Sequence, residues 1–342
     1  MAVIQIIGDQ PGSGKTSLAG ALLLHRSETG QSTGYCKPLS DAPDKDSDAS
    51  FVSEMLLSGS NGPPVPTPHR LPSNTGSALD TSLAGQIKSD VTQLEAAAGL
   101  VLLECPDLAQ AGGGASTLPL ELASLVDARV VLLFRYTHEL DAGAILTASR
   151  PFGDRLAGIV VNGVTAYRGR DINQTLAAEA RAGGVPFLGA LPEDRAILAV
   201  TVQQIADFLG GRWVQEAGQT DASIERFLIG GNIMDLGQTY FGRHSNQAVI
   251  TRAARPDIQM ASMLAGTRCL VLTGGTEPTE YVKAEALERE VPLLLVEGNT
   301  LDTAEALAGL LQQANTHSMQ KIQRFLHLMR EHLDLDALTP AA

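Results

Sequence analysis

A glycine-rich loop near the N-terminus restricts the possible folds of this chain before composition is considered. The loop Gly8-Asp9-Gln10-Pro11-Gly12-Ser13-Gly14-Lys15-Thr16 follows an apolar stretch and precedes a helical pattern. Glycines let backbone amides curl around phosphate oxygens, and the N-terminus of the following helix adds its dipole. A lysine in such a loop reaches the β- and γ-phosphates, and the next hydroxyl ligates magnesium. We therefore predict that a nucleotide is bound by Gly12, Ser13, Gly14, Lys15, Thr16 and Ser17.

Apolar runs alternate with helical patterns through the first two hundred residues. The predicted strands are Ala2–Ile7, Thr33–Lys37, Gly99–Glu104, Ala128–Phe134, Leu156–Val161 and Pro186–Ala190. The predicted helices include Lys15–Arg26, Leu79–Ala96, Ala142–Ser149 and Asn173–Ala182. Strands that are apolar throughout, separated by helices, indicate a parallel sheet covered on both faces. We expect an α/β fold with a doubly wound parallel sheet over residues 1–213.

A second, smaller α/β domain is predicted over residues 222–314, after the linker-like stretch EAGQTD. Its predicted strands are Gln247–Thr251, Arg268–Thr273 and Pro292–Val296. Residues 315–342 form a tail in which apolar side chains recur at helical spacing, namely Ile322, Phe325, Leu326, Met329 and Leu333. The pattern predicts an amphipathic helix that either packs on its own domain or docks a partner.

Composition disfavours several classes of function. The 342 residues hold 25 Lys and Arg against 38 Asp and Glu, so the net charge of −13 argues against nucleic acid and anionic membranes as partners. The three cysteines lack zinc spacing and are expected to be buried free thiols in a reducing compartment. The N-terminus lacks the basic region of a signal peptide, and no run reaches the ~18 apolar residues of a membrane span. We expect a soluble, cytoplasmic homo-oligomer.

Two stretches rich in Pro, Gly and Ser interrupt the alternation, Ser58–Ser77 and Asp107–Pro119. Long loops of this kind inside an α/β domain are lids or binding loops, or they are disordered. Composition leaves both readings open.

The spacing of the glycine-rich loop resembles that of dethiobiotin synthetase and related ATP-dependent amidoligases. Five residues separate Gly8 from Gly14, and Gln10 stands in a loop that lacks the extra lysine of partitioning ATPases. Gly34-Tyr35-Cys36-Lys37-Pro38 resembles the Gly-Tyr-Lys-Pro strand end of dethiobiotin synthetase. Asp46-Ser47-Asp48-Ala49 resembles the segment whose aspartate binds magnesium, and Glu104 ends a buried strand as the second acidic ligand does.

This resemblance implies roles for individual residues. Lys15 and Lys37 would be the catalytic cations at the reacting phosphate. Thr16, Asp48 and Glu104 would be direct or water-mediated ligands of Mg²⁺, and Asn162 is similar to the asparagine that reads the adenine edge. Because α/β sheets bind ligands at the carboxyl ends of their strands, we expect one ATP–magnesium site.

Two departures from dethiobiotin synthetase argue against the same substrate. Gly12 stands where that family has a catalytic glutamate, and Cys105-Pro106-Asp107 replaces its Gly-Ala-Gly-Gly turn for the diamine. Proline has no N–H, so this segment does not reproduce a turn of backbone amides. Synthesis of dethiobiotin is therefore not expected, and any catalysis is expected to be slow.

The second domain resembles the DRTGG domain from Ile224 to Leu311. The resemblance rests on Ile229-Gly230-Gly231, on Val249-Ile250-Thr251 followed by Arg255, and on Thr273-Gly274-Gly275 after an apolar strand. Two readings stay open for this end of the domain. Arg255, Thr273, Gly274 and Gly275 form an anion site, or they make a tight turn without a ligand.

The two domains in this order resemble the N-terminal half of long-form phosphotransacetylases. A catalytic acetyl-transfer domain follows in those proteins, so this chain is not expected to be an acetyltransferase on its own. The first hypothesis is a regulatory protein that binds ATP and Mg²⁺, senses a small phosphorylated or carboxylate metabolite, and contacts a partner in acetyl-CoA or acetyl phosphate metabolism. The second is an ATP-dependent ligase, similar to dethiobiotin synthetase or cobyrinic acid diamide synthase, that phosphorylates a carboxylate or carbamate. The third is an assembly protein that has lost its chemistry.

Overall fold

The structure is a computed structural model that describes residues 2–57, 62–72, 79–109, 116–215, 218–231, 237–312 and 314–338. The chain divides into two compact units. Unit 1 combines Met1–Glu193 with Thr316–Ala342, and unit 2 is Asp194–Asn315. The predicted loops Ser58–Ser77 and Asp107–Pro119 lie partly outside the described residues.

The strands described before residue 194 include one parallel sheet of six. They are β1 (Ala2–Gly8), β2 (Thr33–Cys36), β3 (Leu39–Ser40), β4 (His69–Arg70), β5 (Leu100–Glu104), β6 (Arg129–Arg135), β7 (Leu156–Val164) and β8 (Phe187–Pro192). The sheet order is β2-β5-β1-β6-β7-β8, and β3 pairs with β4 separately. The chain builds one side of β1 with β2 and β5 and then the other side with β6 to β8. This reversal creates a switch point at the carboxyl end of β1, and the doubly wound fold is confirmed.

Both faces of this sheet are buried, as the continuous apolar strands predicted. Val3, Val101 and Leu103 belong to one apolar cluster. Their neighbours Ile4, Ile6 and Leu102 are equally buried on the alternate positions. Since successive strand residues point to opposite faces, helices must cover the sheet on both sides.

The helices before residue 194 surround these faces. They are α1 (Lys15–Glu28), α2 (Ser47–Phe51), α3 (Thr81–Ala97), α4 (Leu118–Leu125), α5 (Ala142–Ser149), α6 (Gly169–Asp171) and α7 (Ala177–Ala182). A π-helical turn, Val52–Leu56, continues α2, and a second, Ile172–Leu176, joins α6 to α7. Asp80 caps α3 by accepting the amide of Ser82 at 2.7 Å, so the helix begins at Thr81.

Unit 2 contains a second sheet in the order β10-β15-β14-β13-β12. Its strands are β9 (Val200–Thr201), β10 (Arg212–Trp213), β11 (Ser223–Ile224), β12 (Arg226–Gly230), β13 (Gln247–Arg252), β14 (Cys269–Thr273) and β15 (Leu293–Val296), and its helices are α8 (Val202–Leu209), α9 (Gly237–Phe241), α10 (Pro256–Leu264), α11 (Glu280–Glu288) and α12 (Thr300–Gln312). Strands β12 to β15 are parallel, whereas β10 is antiparallel to β15 and β9 pairs with β11. The smaller α/β domain is thus present.

The boundary between the units differs from the predicted one at residue 213. The segment from Asp194 to Trp213 belongs to unit 2 because its apolar side chains and its backbone pair there. Val202 and Ile205 of α8 lie in a unit 2 core, and Arg212 of β10 pairs with Leu295. Such long-range pairing leaves no local mark in the sequence.

The predicted amphipathic tail is a helix, α13 (Met319–His332), followed by the short α14 (Leu335–Leu338). It packs on α1 of unit 1 through the predicted apolar stripe, in which Ile322 and Phe325 are buried. A Cβ built on Gly20 would lie 2.9 Å from Ile322 Cδ1, so the glycine lets the two helices approach closely. Leu333 bridges Gly189 of β8, which ties the end of the tail to the sheet. The reading in which the stripe packs on the protein itself therefore describes this helix.

Cys36, Cys105 and Cys269 are buried free thiols, as predicted. Burial raises the pKa of both Cys36 and Cys269 to about 12. Within the part of the chain that the structure describes, no helix is both long and apolar enough to cross a membrane.

Candidate phosphate-loop site

The glycine-rich loop lies at the switch point, where β1 ends at Gly8 and α1 begins at Lys15. Gly12 and Gly14 have φ values of 76° and 104°, a left-handed region that side chains disfavour. Asp9 fastens the loop to β6, since its amide donates to Leu133 O at 2.9 Å and its carboxylate accepts the Arg135 amide at 3.0 Å. Burial raises the pKa of the Asp9 carboxyl, although hydrogen bonds from the amides of Arg135 and Gln10 oppose this shift.

Asn162, near the end of β7, holds the phosphate loop in place through a hydrogen bond. Its Nδ2 donates to Ser13 O at 2.7 Å in a buried hydrogen bond. A Cβ on Gly14 would lie 2.4 Å from the same nitrogen, so Gly14 is required by contact as well as by its φ value. Ser13 Oγ is buried and has no hydrogen-bond partner among the described residues. In this conformation Asn162 acts on the phosphate loop itself, whereas the resemblance assigned it to the adenine edge.

Thr16 and Glu104, two of the predicted magnesium ligands, are joined by a hydrogen bond. The Thr16 hydroxyl donates to Glu104 Oε1 at 2.8 Å, and the buried Tyr35 hydroxyl donates to Oε2 at 2.8 Å. Burial raises the pKa of the Glu104 carboxyl, and the nearby negative charge of Asp48 raises it further. Glu104 is therefore a buried carboxylate beside the first turn of α1, held in place by two hydroxyl groups.

Lys15 forms an ion pair with Asp107, in which its ammonium donates to Asp107 Oδ1. Asp107 is separated from the end of β5 by Cys105 and Pro106, and the amide of the next residue, Leu108, donates to Gly8 O at 2.9 Å. The loop after β5 is thus fastened to the start of the phosphate loop. Asp107 was not predicted as a site residue, although a carboxylate three residues after Glu104, in the loop that leaves β5, is a signal that the sequence contains.

Lys37 lies among carboxylates beyond β2. Its ammonium contacts Asp46 Oδ2 at 2.9 Å and donates to Asp48 Oδ2. Asp46 also caps α2, accepting the amides of Asp48 at 3.1 Å and Ala49 at 2.9 Å. His317, from the segment before α13, contacts Asp48 Oδ1 through Nε2 at 2.7 Å. Neither Asp46 nor His317 was predicted as a site residue, and nothing local to His317 in the sequence indicates this contact.

The charges of this cluster stabilise one another. Burial alone would lower the pKa of Lys37, but Glu104 and Asp48 outweigh it and hold that pKa above its usual value. Burial alone would raise the pKa of Asp48, but the hydrogen bond from His317 and the charge of Lys37 hold it well below the ordinary range. Asp48 is therefore an ionised carboxylate at neutral pH.

The donor set suits Mg²⁺, which prefers a few oxygen ligands and keeps several waters. Thr16 supplies a hydroxyl, and Asp48 and Glu104 supply carboxylates. These groups lie close together, since Asp48 raises the pKa of Glu104 and both carboxylates raise the pKa of Lys37. Among the described residues no three His, Cys, Asp or Glu side chains form a metal cluster. A magnesium ion at this place would depend on phosphate oxygens and water for its remaining ligands.

The anion site considered for unit 2 is not assembled in this structure. The amides of Gly274 and Gly275 already donate to Gly298 O and Val296 O, each at 3.1 Å. Thr273 Oγ1 contacts Thr300 Oγ1 at 2.9 Å. A Cβ added to Gly275 would collide with the carboxylate of Glu297. The negative charge of that carboxylate beside the turn disfavours an anion. A tight turn without a ligand therefore describes these residues better than an anion site does.

Arg255, the cation expected for that site, is exposed and engaged elsewhere. Its Nε and Nη2 donate to the two carboxylate oxygens of Asp257 at 2.9 and 2.8 Å. It also donates weakly to Gly231 O at 3.4 Å. The bidentate pair with Asp257 satisfies the guanidinium without an external anion.

Two protein family models match this chain. A family model described as an AAA domain matches residues 3–201, more than half of the chain, and includes the loop, Lys37, Asp48, Glu104 and Asn162. The chain belongs to this AAA domain family. A DRTGG domain model matches residues 204–310, which confirms the second resemblance. The start of the DRTGG match agrees with the placement of α8 in unit 2.

Curated relatives of this AAA domain chain are phosphate acetyltransferases. The protein of Haemophilus influenzae is 21% identical over 97% of this chain and 52% of its own length. That of Pseudomonas putida is 22% identical over 94% of this chain and 49% of its own length. The resemblance to phosphotransacetylases is confirmed, and the chain spans about half the length of these relatives.

Three solved structures match the chain with low TM-scores and low sequence identity. A MinC:MinD cell division complex from Aquifex aeolicus matches with a TM-score of 0.38 and 12% identity over 58% of this chain and 84% of its own. Cell division protein FtsY from Thermotoga maritima matches with 0.35 and 16% over 56% and 61%. The CBS and DRTGG domains of a Clostridium perfringens pyrophosphatase, complexed with the activator diadenosine tetraphosphate, match with 0.31 and 11% over 45% and 74%.

Proposed function

We propose that this chain binds ATP with Mg²⁺ at the phosphate loop and acts as a regulatory module of the phosphotransacetylase N-terminal type. The observation that carries the proposal is the assembled loop at the switch point, with Lys15 and Thr16 opening α1 and Glu104 on the Thr16 hydroxyl. Backbone amides at a helix N-terminus and a lysine are the groups that bind the phosphates of nucleotides.

Each residue has a proposed role within that site. The amides from Gly12 to Ser17 and the Lys15 ammonium hold phosphate oxygens, while Asn162 keeps the loop in shape. Thr16, Asp48 and Glu104 hold Mg²⁺ directly or through water, and the ion would neutralise phosphate charge. Lys37 lies beside Asp48 and Glu104, where it adds a second positive charge near the terminal phosphate.

Regulation is favoured over catalysis by the groups surrounding the loop. Gly12 offers no acid or base inside the loop, and Lys15 and Lys37 are both paired with carboxylates. General acid–base help contributes ~10²–10⁴-fold to a rate, so the lack of a carboxyl group at position 12 is expected to slow turnover more than it weakens nucleotide binding. A protein partner in acetyl-CoA or acetyl phosphate metabolism would then respond to nucleotide occupancy.

Hydrogen exchange with and without ATP·Mg tests this regulatory role. We expect protection in the phosphate loop and also in unit 2, read at Thr273–Gly275, because a sensor requires that the two ligation states differ away from the ligand. Protection confined to Gly8–Ser17 would contradict the regulatory role and leave a simple nucleotide site.

A ligase remains the second candidate because Lys37 lies near Glu104 and Asp48, where a transferring phosphoryl group would gain from its charge. ADP release measured with a panel of carboxylate and carbamate acceptors separates the two functions. Stimulation of ADP release by one acceptor would favour the ligase, and a uniformly slow background rate favours the regulatory module.

A further inference from the structure

The C-terminal segment contributes a side chain to the candidate magnesium site. His317 lies 269 residues along the chain from Asp48, yet its Nε2 contacts Asp48 Oδ1 at 2.7 Å. Because an ionised carboxylate only accepts hydrogen bonds, Nε2 of His317 must be the donor. Asp48 is thus held by Lys37 on one oxygen and by His317 on the other.

Both partners of this contact stand on fixed backbone. Asp48 lies in the first turn of α2, where Asp46 accepts its amide at 3.1 Å. His317 stands two residues before α13, which packs on α1, the helix that the phosphate loop opens. The rings of His317 and Phe51 pack against each other with their centroids 5.1 Å apart and their planes tilted by 31°. The imidazole is therefore restricted on its face as well as at its nitrogen.

A carboxylate hydrogen-bonded in this way keeps lone pairs on both oxygens for a metal ion or a metal-bound water. Outer hydrogen-bond partners of metal ligands orient the ligand, and their loss typically lowers metal affinity 10–100-fold. Without His317, the Asp48 carboxylate is free to rotate onto Lys37 with both oxygens. A lone pair used in that second contact is no longer available to the ion.

We propose that His317 is a positioning residue of the nucleotide site, supplied by the C-terminal segment to orient Asp48 toward Mg²⁺. This inference rests on the proposed function. It adds that the site is incomplete without the segment Thr316–Leu338, although that segment follows unit 2 in the sequence. Truncation before Thr316 would remove a group that the metal ligand needs.

The test is calorimetric titration of the full-length chain with ATP, once with saturating Mg²⁺ and once with a chelator. We expect His317→Ala to lower the Mg²⁺-dependent gain in ATP affinity about tenfold, while affinity in chelator stays within about twofold of wild type. His317→Gln keeps an amide donor for Asp48 and is expected to retain most of the gain. Ile322→Ala, which weakens the packing of α13 on α1, is the matched control and should lower thermal stability without changing the gain.

Each outcome decides between specific statements. If wild type gains affinity from Mg²⁺ and His317→Ala gains as much or more, the positioning role is wrong while the nucleotide site stands. If His317→Ala loses affinity equally in chelator, or if Ile322→Ala loses the same gain, His317 only fastens the tail and the inference fails. If wild type binds no ATP under either condition, the proposed function itself fails.

Discussion

The ion pair between Lys15 and Asp107 predicts that this protein restrains its own nucleotide affinity. The two side chains are only 13% and 16% exposed, so their charges are partly shielded from water. A phosphate that binds Lys15 must displace the Asp107 carboxylate, which then lies close enough to repel the phosphate. Asp107→Asn removes the negative charge and keeps the shape of the side chain.

The magnitude follows from Coulomb's law. A carboxylate at ~6 Å from one phosphate charge, with an effective dielectric of ~20, opposes binding by about 2.8 kcal/mol. Solvent and side-chain rearrangement screen such a pair, and we take half of that value. The remaining ~1.4 kcal/mol corresponds to a tenfold gain in affinity for Asp107→Asn.

Isothermal titration calorimetry with ATP·Mg measures this gain directly. Asp127→Asn is the matched control, because Asp127 is 91% exposed, pairs with Arg155 and stands just before β6, at the opposite end of the sheet from the loop. An asparagine also tolerates the φ of 51° at that position. The reasoning is refuted if Asp107→Asn binds ATP·Mg no better than the control. Weaker binding would mean that Asp107 assists the ligand.

Three further predictions concern the supports of the site. Asn162→Ala leaves Ser13 O without its buried donor, which typically costs ~1–3 kcal/mol, so its unfolding midpoint in urea should fall, whereas Asn173→Ala, an exposed amide on Gly169 O, should change little. Burial alone would raise the pKa of Asp46, but hydrogen bonds from Ser40, the Ala49 amide and Lys37 outweigh it and lower that pKa. The stability that Asp46→Asn loses should therefore be present at pH 7 and shrink as the pH falls below ~3.9. Urea titrations at pH 7 and at a pH well below ~3.9 measure this change. Gly20→Val should lower the thermal midpoint by displacing Ile322, at an overpacking cost of ~1–3 kcal/mol. Gly20→Ala should be milder, because its methyl group meets the ends of two flexible side chains, Ile322 and Leu56.

Much of the first fold follows from local patterns. The strand predicted over Gly99–Glu104 is observed as Leu100–Glu104, fully buried, and the strand before the phosphate loop extends one residue beyond its prediction to Gly8. These elements are recognisable because a parallel strand covered on both faces must be apolar at every position. The loop was recognisable because its glycines and lysine serve one kind of ligand.

The parts that escaped prediction depend on pairing over long distances in the sequence. Strand β12, Arg226–Gly230, lies at the edge of the sheet, where its apolar run of three residues is short and Ile229 is half-exposed. The helical period of the tail predicted α13 but could not name α1 as its partner. Likewise, His317 contacts Asp48, and Asp107 contacts Lys15, only after the chain has folded.

The central claim is that the phosphate loop binds ATP with Mg²⁺ through Lys15, and one calorimetric comparison tests it most directly. Wild type is titrated with ATP·Mg beside Lys15→Ala and beside Lys45→Ala, an exposed lysine in the same unit. We expect wild type and Lys45→Ala to bind alike and Lys15→Ala to show no measurable binding, because no other lysine in the loop supplies its charge. If Lys15→Ala keeps its affinity within about twofold of wild type, well below the ~1.4 kcal/mol of a tenfold change, the assignment of the site is contradicted.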